Sequence, residues 1–108
     1  MKKIAMAVLA GALGLCTSAF ADATLVSEKQ CMQCHKVKED FAGPSFQKIA
    51  ARWKGKGNAV EMLATTVRKG SVGEGLQHWG KARMPDDSER PLVSEEEARK
   101  MVRWILTQ

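Results

Sequence analysis

The chain has 108 residues, with 17 basic against 12 acidic side chains, 44% hydrophobic content and only 6% aromatic, so its length allows one domain and excludes a two-domain enzyme. Three cysteines, three prolines and nine glycines fit a folded domain rather than collagen, a disordered tail or a disulfide-dense scaffold. The net charge of +5 is spread along the chain with no long run of like charge, which is not the footprint of a nucleic-acid binder.

Met1-Lys2-Lys3 is a short basic start, residues 4–15 are apolar but too short to span a bilayer, and Ala19-Phe20-Ala21 supplies a small-x-small cleavage pattern. Residues 1–21 are therefore expected to be a secretory signal peptide, leaving 22–108 as the working domain; the alternative is an uncleaved membrane anchor, and the membrane is expected as a partner only through the uncleaved signal peptide. Cys16 falls inside the leader, and Leu13-Gly14-Leu15 before it is a poor lipoprotein site. Two cysteines remain, Cys31 and Cys34. A domain this small is marginal without a metal, a disulfide or a cofactor.

Helices follow in chain order. Thr24 is expected to cap a short first helix with Leu25 and Val26 inward. Ser45 is expected to cap a second, in which Phe46, Ile49, Ala50 and Trp53 recur at helical spacing before Gly55. Asn58 with Glu61 has the form of a capping box, and Val60, Leu63, Ala64 and Val67 make a helical stripe that ends at Gly70. Residues 71–91 hold enough glycine and proline to break every period, and a long irregular loop in a small domain is usually functional. Ser94 with Glu97 forms another capping box, with Glu95 and Glu96 at the positive end of the helix dipole, and Ala98, Met101, Val102 and Ile105 line one face of the last helix. No alternating segment suggests a strand. The expected fold class is all-α, about four helices.

The chemistry sits in Cys31-Met32-Gln33-Cys34-His35. Two thiols three apart, with a histidine beside the second, can form thioethers to the two vinyl groups of haem while the imidazole takes the iron. A structural zinc site wants four ligands, and beyond these three only His78 remains. A dithiol redox site wants a βαβ context, which is absent. A plain disulfide between Cys31 and Cys34 is the other alternative.

With this element the sequence resembles the class I c-type cytochromes, specifically the small bacterial periplasmic kind. The resemblance covers the chain after the leader: a helix into Cys31-x-x-Cys34-His35, then Gly43-Pro44, an irregular loop with Trp79-Gly80 and Met84-Pro85, and a C-terminal helix. It implies a globule round one covalent haem c, carrying single electrons between periplasmic redox partners, a donor and an acceptor met transiently, with no nucleic acid and no small-molecule substrate.

The resemblance also assigns roles. His35 would be the proximal ligand and Met84 the sixth ligand on the other haem face, since a soft thioether suits an iron that cycles between ferrous and ferric. His78 is the rival for that position. Met62 and Met101 read as core, and Met32 lies within the attachment loop. The carbonyl of Pro44 would accept a hydrogen bond from His35 and orient its ring, and the indole of Trp79 would meet a haem propionate. Relatives place an aromatic near Val26 against one on the last helix, here Trp104. Arg83 before Met84 and Asp86 after Pro85 depart from prolines common in the family. Lys81 and Arg83 flank the methionine and are candidates for steering partners.

Three functions are open on these grounds: a diffusible electron carrier and no enzyme; a haem subunit tightly bound to a periplasmic oxidoreductase such as a sulfite dehydrogenase; and a haem enzyme or gas sensor with an open sixth position.

Overall fold

The computed structural model describes residues 14–71 and 83–108. Among these residues four α-helices form: α1, Gly14–Glu28; α2, Phe46–Trp53; α3, Ala59–Lys69; and α4, Glu95–Leu106, with a 3-10 turn at Cys31–Gln33 between the first two. Among the described residues no strand occurs and no helix is long and apolar enough to cross a membrane. Residues 1–13 of the expected leader lie outside the described residues, as do His78, Trp79 and Lys81.

Local chemistry explains most helix boundaries. Ser45 is extended, and its hydroxyl accepts the Lys48 N–H at 3.0 Å, which satisfies one of the free donors at the start of α2. Ser94 does the same for α4, accepting from Glu97 N–H at 3.1 Å while the Glu97 carboxylate accepts from Ser94 N–H at 3.0 Å. The capping box expected there is complete. Helix α3 stops at Gly70, whose φ of 77° suits glycine and whose N–H bonds the Thr66 carbonyl at 2.8 Å.

Two expected caps do not form. Thr24 lies inside α1, which begins ten residues earlier at Gly14, and its hydroxyl donates back to the Phe20 carbonyl at 3.0 Å. Asn58 makes no side-chain cap, because its backbone (φ −99°, ψ 8°) leaves the extended cap conformation. The Glu61 carboxylate is engaged by Arg99 of α4 at 2.9 and 3.3 Å instead.

Helix α4 packs against α1, α2 and α3 and supplies the centre of the core, with Ala98, Met101, Val102 and Ile105 buried beside Val26, Phe46, Ala64, Val67 and Val93. Leu25 and Trp104 pack on this cluster. The aromatic partner of Trp104 is Phe46, edge to face at 5.7 Å, an arrangement that adds about 0.5–1.5 kcal/mol beyond area burial. Met101 is core as expected. Met62 is not: it is 41% exposed, on the side of α3 that faces the cavity described next.

Candidate functional site

The cysteines stand on the 3-10 turn that follows α1. Gln30 enters it in the left-handed region (φ 65°), and the N–H groups of Cys34 and His35 both reach the Cys31 carbonyl, at 3.2 and 3.0 Å. The backbone thus doubles back and presents Cys31, Cys34 and His35 together. Both thiols are free, and burial pushes that of Cys31 above its ordinary pKa, with Arg90 opposing the shift. No three His, Cys, Asp or Glu side chains among the described residues form a set able to hold a metal ion.

The segment after His35 is laced back on itself. Gly43 N–H bonds the Cys34 carbonyl at 2.9 Å, and the N–H groups of Phe46 and Gln47 bond the carbonyls of Lys36 and Val37 at 2.9 and 3.0 Å. Asp40 accepts from Ser45 N–H at 2.9 Å and is paired with Lys48. This lacing brings Pro44 over His35, whose Nδ1 donates to the Pro44 carbonyl at 2.7 Å. The imidazole stacks on Phe46 at 5.4 Å, and burial pushes its pKa below the ordinary value against the opposing hydrogen bond to Pro44. The ring is therefore held neutral, with Nδ1 committed and Nε2 left as a lone-pair donor.

Met84 reaches the same space from the far end of the chain. It is tied to the residue after α3's glycine cap: Ser71 N–H donates to the Met84 carbonyl at 3.0 Å, and Met84 N–H donates to Ser71 Oγ at 2.7 Å. Arg83 beside it pairs with Glu89 at 3.0 Å, and Pro85 is bonded through its carbonyl to Arg90 Nε at 3.4 Å.

These elements enclose a cavity of about 570 Å³, lined by Cys31, Cys34, His35 and Met84 together with apolar side chains of α2, α3 and α4. Lys48, Arg52, Lys56 and Arg83 also line it. The donor set fits a haem: two thiols on one turn, a neutral imidazole and a thioether held on separate elements, and an apolar wall for a flat macrocycle. His78 and Trp79, the rival ligand and the expected propionate partner, fall outside the described residues. Ser71 and Gly43, which sequence reasoning did not single out for these contacts, are brought against Met84 and His35.

The Cytochrome c family profile matches residues 22–108. The chain belongs to the cytochrome c family. Cytochrome c-552 of Hydrogenobacter thermophilus is 34% identical over 107 residues, which span 99% of this chain and 98% of that protein. The crystal structure of wild-type Nitrosomonas europaea cytochrome c552 superposes with a TM-score of 0.67 at 34% identity, covering 79% of this chain and 96% of that one. The class 1 cytochrome MtoD from Sideroxydans lithotrophicus ES-1 superposes with a TM-score of 0.62 at 27% identity over 82% of this chain and 92% of that one. The chain is thus a small all-α class I cytochrome with one covalently bound haem c, an electron-transfer protein that passes electrons between redox partners rather than an enzyme.

Proposed function

We propose that this cytochrome c works in the periplasm as a diffusible carrier, in which Cys31 and Cys34 would hold haem through thioethers and His35 and Met84 would hold its iron. The observation that carries the reading is the convergence of Cys31, Cys34 and His35, from one turn, with Met84, from far along the chain, on one largely apolar cavity. The bound group supplies a one-electron ferric/ferrous couple. The chain's own residues set its terms. Pro44 fixes the His35 ring through Nδ1, which leaves Nε2 as the nitrogen that would hold the iron. Met84 presents a soft sulfur that would favour the ferrous state, and with His35 it would leave no position open to a substrate. Trp79 is the proposed donor to a propionate.

Residues 1–21 are the proposed leader that takes the chain across the inner membrane; cleavage after Ala21 would leave residues 22–28 of α1 to enter the cysteine turn. The partners are a redox protein that donates and another that accepts, each met transiently.

An optical spectrum of the purified haem-loaded protein tests the ligand set, because a sulfur-to-iron charge-transfer band in the far red accompanies methionine ligation. The ferric wild type is expected to show it. Met84→Ala is expected to lose the band and lower the midpoint potential while haem stays attached, and His78→Ala to change neither. An unchanged Met84→Ala beside an altered His78→Ala would move the ligand to His78.

A further inference from the structure

We propose that Ser71 is the positioning residue that holds Met84 on the iron, so that the C-terminal cap of α3 governs how firmly the sixth ligand is kept. The inference rests on Met84 being that ligand. Ser71 makes both main-chain contacts of Met84 found among the described residues, accepting its N–H on Oγ at 2.7 Å and donating its own N–H to the Met84 carbonyl at 3.0 Å. Pro85, the next residue, has no N–H to add a further anchor.

Burial gives these bonds weight. Ser71 is only 5% exposed, so water is poorly placed to replace a lost partner, and an orphaned buried donor costs more than an exposed one. Gly70 makes the approach possible: at φ 77° a Cβ there would lie 2.6 Å from the Met84 carbonyl oxygen and 3.0 Å from Asp86 N. The methionine segment therefore lies against bare backbone at the helix end, and Ser71 is the side chain that ties it there. For the Met84 main chain to move away from the cavity, the Ser71 pairing must open with it.

The test is displacement of Met84 by imidazole in the ferric haem-loaded protein, followed by loss of the far-red band. Ser71→Ala is expected to bind imidazole at least about fivefold and at most about 160-fold more tightly than wild type, the range that follows from orphaning one buried hydrogen-bonding group. Ser71→Thr keeps the oxygen and is expected to stay within about twofold of wild type. Ser94→Ala, which removes the α4 cap but no hydrogen bond of Ser71 or Met84, is expected to lower the unfolding midpoint without changing imidazole affinity. Equal imidazole affinity in wild type and Ser71→Ala overturns the proposal, as does a Ser71→Thr variant as loose as Ser71→Ala. If Ser71→Ala does not assemble, amide exchange in the wild type decides: a Met84 N–H slow to exchange supports the pairing, and one that exchanges like an open loop overturns it. Failure of the ligand assignment looks different, since the wild type would then lack the band or Met84→Ala would keep it.

Discussion

The imidazole of His35 occupies the space that a side chain at residue 43 would need. A Cβ on Gly43 would sit 2.9 Å from Cε1 and 3.2 Å from Nδ1, closer than non-bonded atoms settle, and the ring already stacks on Phe46. Gly43→Ala is therefore expected to force the ring off the Pro44 carbonyl and to destabilise the haem-loaded protein by about 1–3 kcal/mol, the usual cost of overpacking. Denaturant unfolding checks the size, and the Nδ1–H resonance of His35 should move in the same variant. Wild-type stability would mean that the loop yields freely. The resemblance made Gly43-Pro44 visible as a pair, but only the geometry separates the roles: Pro44 accepts the hydrogen bond and Gly43 makes room for the ring. Cys31-x-x-Cys34-His35 was legible because its chemistry is local, confined to one turn. The Ser71–Met84 pairing joins residues 13 apart with no periodic relation, so no pattern in the sequence announces it.

Among the elements, helices whose ends are set by a single serine were readable and those set by tertiary contacts were not. Ser45 and Ser94 cap as their sequence context indicates, whereas Asn58 loses its reciprocal partner when Arg99 of α4 takes Glu61. Thr24 fails as a boundary because α1 runs straight through it. The α4 cap invites a direct test: Ser94→Ala is expected to cost about 1 kcal/mol, which for a domain of this size lowers Tm by about 4–8 °C. Thermal unfolding of the haem-loaded protein measures it. The other half of the box carries a pH dependence. Hydrogen bonding to Ser94 N–H holds the Glu97 carboxyl below its ordinary value of 4.5, so its contribution is complete above that value and is lost as pH falls through the lower folded pKa. Glu97→Gln keeps the acceptor without the titration and should soften the acid limb of the stability profile. It cannot flatten it, because Asp40, Glu61 and Asp86 are depressed in the same direction.

At the scale of the whole molecule, the distribution of charge round the cavity bears on how partners arrive. Lys48, Arg52, Lys56 and Arg83 line it, and among the described residues no acidic one does, although Lys48 is paired with Asp40 and Arg83 with Glu89. Arg83, singled out from sequence for steering, is thus partly compensated, which shifts attention to Arg52 and to Lys56, whose ammonium lies 4.9 Å from the Trp53 ring centroid. A positive rim raises the local concentration of anionic reactants and speeds their encounter without tightening the complex. Small redox reagents of opposite charge isolate this effect from any partner's shape. Arg52→Glu with Lys56→Glu is expected to slow oxidation by ferricyanide roughly tenfold at low ionic strength and to speed reduction by hexaammineruthenium(II). Both differences should shrink towards wild type as salt rises and the Debye length falls from ~10 Å at 0.1 M to ~3 Å at 1 M. The midpoint potential is measured in parallel, since both residues face the cavity and a changed driving force would alter the two rates without any salt dependence. Stopped-flow rates that respond equally to both reagents, or that ignore salt, would remove the rim from the encounter and leave the cavity and its ligands as they are.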